Sequence, residues 1–187
     1  MVPRRASSPR PRLGRLVAMG RYYAALLVLA MLVPDCTGAE ETAADVQPVA
    51  ITLSAGSFAV IDDSDKPYSL GFELQGRPRT RWSLQPAIGA TFGPDGIAFV
   101  YLGVLRDFPI GREWSVTASL GGGKFQNGDE IGVHHHLEFR SGIALSRLVA
   151  GRMRVGLAGY HVSNAGLERP NNGTEELSLF VSVPFSR

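Results

Sequence analysis

The chain has 187 residues and a formal net charge of +2, but this charge is divided unevenly along it. Residues 1–39 hold six of the 19 basic residues and one of the 17 acidic residues, so 13 basic and 16 acidic residues remain beyond them. The remaining stretch of about 148 residues has a length that suits one domain. Its negative balance gives no support to nucleic-acid binding.

The first 39 residues predict a secretory signal peptide. Arginines precede an apolar run from Tyr22 to Val33, and Pro34 and the small residues at 37–39 follow it. This run is too short to cross a bilayer as a helix, which needs roughly 20 apolar residues. Met19 would open a signal peptide of more ordinary length. Cys36, the only cysteine, lies in this leader, so we expect no disulfide within the mature chain.

From residue 40 onward, apolar and polar residues alternate in runs of strand length, separated by clusters of Gly, Asp, Pro and Asn. This pattern is typical of antiparallel strands joined by turns. About eight runs begin near Ala50, Tyr68, Thr80, Ile97, Trp114, Val133, Met153 and Glu175. Eight strands are enough to close the smallest transmembrane barrels. The sequence therefore predicts an all-β fold over residues 40–187, an eight-stranded antiparallel transmembrane β-barrel.

The large apolar side chains decide which face of the barrel is outside. Four of the runs have one apolar face, formed by Tyr68, Leu70, Phe72 and Leu74; by Trp82, Leu84, Ile88 and Phe92; by Val133, Leu137, Phe139, Ile143 and Leu145; and by Met153, Val155 and Leu157. The interior of an eight-stranded barrel is too narrow to hold them all. We therefore expect them to face lipid, with polar residues inside. The run from Ile97 to Leu105 is apolar on both faces and assigns no side.

The opposite faces of these runs carry charged residues, which we expect to point into the barrel. Charges removed from water need partners, so they are predicted to form an interior network of ion pairs with a structural role. The residues concerned are Glu73, Arg79, Arg81, Glu138, Arg140, Arg152 and Arg154.

His161, Ser163 and Glu175 form a candidate catalytic trio. A serine hydroxyl becomes nucleophilic when a histidine takes its proton, and a carboxylate orients that histidine. The alternation through Leu157 places His161 and Ser163 on the lipid-facing side of a strand end. In the last run Glu175 shares this side, whereas Glu176 points inward. From spacing alone, a hydrated rim of ordinary polar residues is an alternative interpretation.

The wider pattern resembles a known enzyme family. His161-Val162-Ser163-Asn164-Ala165-Gly166, followed by Pro170-Asn171-Asn172-Gly173 and Glu175, is similar to the PagL-type lipid A 3-O-deacylases, with a weaker echo at residues 137–142. The resemblance implies an outer-membrane β-barrel esterase without a cofactor that removes an acyl chain from lipopolysaccharide. Lipid A would then be its substrate and outer-membrane lipids its surroundings.

Such a mechanism implies Ser163 as the nucleophile, His161 as the base and Glu175 as its partner, and it also needs donors that stabilise an oxyanion. Candidates are backbone N–H groups from Asn164 to Gly166 and the side chain of Asn171. The acyl chain that is removed does not follow from these residues, and a homodimer is compatible with them.

Two other polar clusters could be taken for metal sites. Alternation sends the middle residue of His134-His135-His136 to the opposite face, so the three cannot chelate one ion from a regular strand. Asp62, Asp63 and Asp65 lack the glycine and distant glutamate of a calcium loop. We therefore expect no metal.

Two alternatives to the esterase remain. One is a non-catalytic small outer-membrane barrel with a structural or partner-binding role, which would not need this trio on one face. The other is a soluble periplasmic barrel of lipocalin type, which would stay in solution without detergent.

Overall fold

The computed structural model describes residues 49–61, 66–79, 82–126, 133, 137–150, 152–167 and 173–185. The predicted signal peptide lies outside these ranges. Within them, eight antiparallel strands pair in chain order, and β1 closes the barrel by pairing with β8. The strands are β1 (Ala50–Phe58), β2 (Tyr68–Gln75), β3 (Gln85–Phe92), β4 (Ala98–Ile110), β5 (Trp114–Gln126), β6 (Leu137–Val149), β7 (Met153–Ser163) and β8 (Thr174–Pro184). The predicted fold is confirmed.

Helix contributes little to this part of the chain. One 3-10 turn, Pro94–Gly96, lies between β3 and β4. No helix among the described residues is both long enough and apolar enough to span a bilayer.

The outer wall of the barrel is apolar, as the alternation predicts. Leu102 and Leu179 are about two-thirds exposed, whereas their inward neighbours Tyr101 and Ser178 are buried. Most other outward positions also carry exposed apolar side chains, including Phe72, Phe139, Ile143 and Leu157. An apolar band of this kind on a closed barrel faces lipid.

The interior is not uniformly polar, which corrects one expectation. A cluster of buried apolar residues fills one end of it: Phe58, Ala59, Ile97, Phe99, Tyr101, Phe125, Val133 and Val162. The ring of Phe99 stacks between Phe125 at 5.2 Å and Tyr101 at 5.3 Å between centroids. A narrow barrel therefore accepts several aromatic rings when they stack.

Below this aromatic layer lies a cluster of acidic and basic side chains, and below the cluster lies a polar cavity. Arg140 is buried between Glu73 and Glu176, with N–O distances of 3.9 and 3.4 Å. A cavity of about 50 Å³ follows, lined by residues that include Asp107, Thr117 and Arg154. The predicted interior network is thus present around Arg140, and Arg154 also lies inside.

Some predicted positions are wrong because they lie beyond the strands, where alternation no longer applies. β3 begins at Gln85, not Thr80, and Trp82 lies in a turn that includes Ser83 at a φ of 52°. Arg79 and Arg152 are exposed outside the strands and do not enter the interior. Val133 precedes β6 and is buried in the aromatic layer instead of facing lipid.

The two ends of the barrel differ in their connections. At one end, two of the three connections are the short turns 111–113 and 150–152, and the third is residues 76–84. At the other end, residues 59–67, 127–136 and 164–173 form long connections, and residues 93–97 form a shorter one. Outer-membrane barrels carry their longer loops on the extracellular side. We call this second end the loop end, and the aromatic layer lies there.

Replacing Phe99 with alanine should lower the free energy of unfolding by about 3–5 kcal/mol, because the stack would lose its central ring and leave a cavity. The control is Leu102→Ala on the outer face of the same strand, where lipid can fill the space that the side chain vacates. Urea-induced unfolding in lipid vesicles measures the free energy of unfolding of both variants. Equal losses would contradict the assignment of faces on β4.

Candidate functional site

His161 and Glu175 face each other across β7 and β8 on the outer wall. The register pairs them directly, and Nδ1 of His161 lies 3.3 Å from Oε1 of Glu175. Each side chain is about one-third exposed. In the tautomer that carries its proton on Nδ1, the imidazole donates this hydrogen bond, which leaves Nε2 free to accept a proton. The pair is the arrangement that the sequence predicts.

Ser163 lies two residues after His161 on the same face of β7, at the last position of the strand. Residues spaced in this way are about 7 Å apart along a strand. No hydrogen bond joins the Ser163 hydroxyl to the His161 ring among the described contacts. Catalytic hydrogen bonds are often long before substrate binds, and rotation of both side chains can close this gap.

Ser141 is a second hydroxyl beside the imidazole that the alternation alone did not single out. The register places Ser141 on β6 opposite His161, on the side away from Glu175. Ser141 lies in the segment 137–142 that weakly resembles the family pattern. The sequence does not show that it lies opposite His161, because that depends on the register between β6 and β7.

A tight turn follows Ser163 and holds two of the predicted supporting residues. The N–H of Leu167 donates to the carbonyl of Asn164 at 3.1 Å, and the N–H of Gly166 donates to Oδ1 of Asn164 at 2.8 Å. Ala165 and Gly166 both have positive φ, 55° and 83°. The N–H of Gly166 is therefore engaged within the turn. Asn171 lies outside the described residues.

Gly173 closes the site from the other strand, a role that sequence reasoning missed. Its φ is +66°, and a Cβ built on it would lie 3.0 Å from Cε1 of His161 and 3.1 Å from Cβ of Ser163. It would also lie 2.8 Å from the carbonyl oxygen of Val162, closer than real Cβ contacts come. Glycine at this position lets the chain enter β8 without displacing the trio.

The site lies where the loop end of the barrel meets its apolar wall. Leu157 and Leu177 continue the same faces of β7 and β8 below it, and each is nearly half exposed. The geometry combines an oriented base with a hydroxyl at a lipid boundary, which suits acyl transfer. No group of three metal-binding side chains comes together among the described residues. The aspartates at 62–65 and the histidines at 134–136, for which we expect no metal, lie outside the described residues.

The family comparison decides what kind of barrel this is. The model of the family described as lipid A 3-O-deacylase (PagL) matches residues 68–184, which include β2 to β8 and the whole trio. The chain belongs to the PagL family. It is an outer-membrane β-barrel of a family of lipid A deacylases, as the resemblance in the sequence implied. A comparison with curated protein sequences finds no match.

Two solved structures share the PagL-like barrel. One is the crystal structure of the outer membrane enzyme PagL, with 24% sequence identity and a TM-score of 0.54 over 73% of this chain and 99% of the other. The second is a de novo designed transmembrane β-barrel, with 8% identity and a TM-score of 0.53 over 75% of this chain and 97% of the other. At these identities the likeness shows the fold.

Replacing Gly173 with alanine should lower deacylation about 100-fold, because the new Cβ would displace His161 and Ser163 by a fraction of an ångström or more. Gly111→Ala is the matched control, since Gly111 has a φ of +68° and nothing within 4 Å of its Cβ position. Gly111→Ala should lose about 1–2 kcal/mol of stability from the left-handed backbone, and Gly173→Ala should lose more, because its Cβ also meets the carbonyl oxygen of Val162. Equal activity in the two would contradict the close contact described for Gly173.

Proposed function

We propose that this protein hydrolyses the ester that links the hydroxyacyl chain to the 3-position of lipid A, by a Ser163, His161 and Glu175 mechanism. The observation that carries the proposal is the His161–Glu175 pair, which lies on the lipid-facing wall beside Ser163. A barrel with a purely structural role does not need an oriented imidazole there. Membership of the PagL family supplies the substrate class.

In the first half-reaction, Nε2 of His161 takes the proton of Ser163 while Oγ attacks the ester carbonyl carbon. Glu175 holds the imidazole in its tautomer and balances the positive charge that develops on it. The tetrahedral intermediate collapses by breaking the bond between the carbonyl carbon and the sugar oxygen. His161 then gives its proton to that oxygen, which leaves as the 3-hydroxyl of lipid A.

In the second half-reaction, His161 deprotonates a water molecule that attacks the acyl-serine. The fatty acid leaves and Ser163 recovers its proton. Each tetrahedral intermediate needs donors for its oxyanion, worth about 3–4 kcal/mol each. Backbone N–H groups of the turn from Asn164 to Gly166 and the side chain of Asn171 are the proposed donors. The N–H of Gly166 would exchange its bond to Asn164 for the oxyanion.

The location of the site matches the location of this substrate. Lipid A occupies the outer leaflet, so its acyl chains can lie along the apolar wall below His161 while its sugar stays at the loop end. No chain needs to leave the bilayer to reach Ser163. We further propose that residues 1–39 direct export and are removed, so that the mature protein begins near Glu40.

Ser163→Ala and His161→Ala should each abolish deacylation of lipid A by the purified protein in detergent micelles. Both residues lie on the outer face, so each variant should keep the heat-modifiable mobility of a folded barrel. The double variant should be hardly worse than either single one, because the residues act as a unit. Mass spectrometry of lipid A, with loss of one hydroxyacyl mass, measures the reaction. Full activity of Ser163→Ala would exclude the serine mechanism.

The two adjacent glutamates should respond differently to replacement by glutamine. Glu175→Gln should lower turnover by about 10³–10⁴-fold with little change in stability, because the amide carries no charge to balance the imidazolium and its N–H group can face Nδ1 and favour the wrong tautomer. Glu176→Gln should lower stability, because Glu176 is buried and accepts hydrogen bonds from Ser69 and Arg140. It should reduce turnover per folded molecule far less than Glu175→Gln, because the amide oxygen of the new side chain can still accept a hydrogen bond from Arg140. Turnover per folded molecule measures the catalytic effect, and the midpoint of urea-induced unfolding measures the effect on stability. Equal losses of turnover would contradict the register of β8.

A further inference from the structure

The buried side chain of Arg140 lies directly behind the His161–Glu175 pair, on the inner face of the same part of the barrel. Its guanidinium carbon lies 3.2 Å from the centroid of the Tyr160 ring, and its Nη2 lies 3.4 Å from Oε2 of Glu176. Tyr160 precedes His161 on β7, and Glu176 follows Glu175 on β8. Tyr160 and Glu176 also face each other across these strands, next to the His161–Glu175 pair.

We propose that Arg140 is a positioning residue that fixes the register between β7 and β8 and so keeps Glu175 opposite His161. The proposal deepens the proposed function and rests on it, since it concerns the same pair from the other side of the wall. Arg140 itself is buried inside the barrel, and its described contacts include neither His161 nor Glu175.

Alternation of apolar residues cannot fix this register alone. A shift of β8 by one residue would turn Leu177 and Leu179 into the interior, so the apolar wall opposes it. A shift by two residues keeps every side chain on its own face, yet it replaces Glu175 by Leu177 opposite His161. The outer wall barely distinguishes these two registers, because both leave leucines against lipid.

The interior does distinguish them. In the shifted register Ser178 would take the place of Glu176 beside Arg140, and the buried guanidinium would lose a carboxylate. Breaking a buried ion pair in this way costs several kcal/mol because a charge is left uncompensated. The planar guanidinium both stacks on Tyr160 and bonds Glu176, so it recognises one residue on each of the two strands.

Arg140 can act as a reference point because other strands hold it in place. Its Nη1 donates to the hydroxyl of Tyr101 on β4 at 2.8 Å, and that hydroxyl donates to Oε2 of Glu73 on β2 at 2.9 Å. Glu176 is held independently, since the hydroxyl of Ser69 on β2 donates to its Oε1 at 3.1 Å. The cluster therefore ties β7 and β8 to β2 and β4, with which neither of them pairs.

The kinetic test compares Arg140→Met with a control, Arg154→Met. Arg154 lies on β7, six residues before Tyr160, and lines the lower cavity. Arg140→Met should lower kcat about 100-fold, because most folded molecules would then place Leu177 instead of Glu175 opposite His161, and it should leave KM for lipid A within a few-fold. Arg154→Met should keep kcat. Arg140→Lys retains the charge but not the planar stack, so its folded barrel should show an intermediate loss.

The second test reads the register without activity. A cysteine pair at Leu157 and Leu179, which face each other on the outer wall, should form a disulfide in the otherwise unchanged protein, because facing Cα atoms are about 5 Å apart. Pairs that join Leu157 to Leu177 or to Val181 are diagonal, about 7–8 Å apart, and should not. With Arg140→Met or Arg140→Lys added, the pair at Leu157 and Val181 should become cross-linked, because these residues face each other when Leu177 lies opposite His161.

A kcat within about threefold of the unchanged protein in both Arg140 variants, or a cross-linking pattern that neither variant changes, would overturn the proposal. A loss of activity that follows only the folded fraction would do the same. Full activity of Ser163→Ala would instead refute the serine mechanism and leave the cross-linking result standing as evidence on the register. The two failures are therefore distinguishable.

Discussion

Closure of eight strands into one narrow barrel is the constraint on which the other features depend. Each strand residue must face either lipid or the interior, and consecutive residues face opposite media. Lipid accepts only apolar side chains over most of the wall, so the polar groups of the strands must satisfy one another inside. Tyr160 and His161, or Glu175 and Glu176, are neighbours in sequence but belong to separate chemical environments.

The interior of the barrel is divided into layers of different composition. Stacked rings around Phe99 fill the centre of the loop end. Carboxylates then surround Arg140, whose charge would otherwise be costly so far from water. The polar cavity around Asp107 lies furthest from the site. A rigid interior of this kind gives the outer wall a fixed geometry, which catalytic groups require to within about 0.5 Å.

The outer site depends on this rigidity because it has few contacts of its own. His161 bonds Glu175 across the strands, and the turn after Ser163 is held by Asn164. Gly173 supplies the space in which these groups meet. The proposed site therefore combines exposure to lipid with backbone positions that the packed interior supports, and the proposed reaction requires both.

The amino-acid sequence determined the fold, the lipid-facing side of the strands and the shared face of His161, Ser163 and Glu175. These follow from alternation, which is a local property of extended backbone. Only the tertiary structure decided where strands begin, as Trp82 and Val133 show, and which distant residues meet. Arg140 meets Glu176 and Tyr101 across the interior through the register of several strands and the closure of the barrel, and neither can be read from the alternation within one strand.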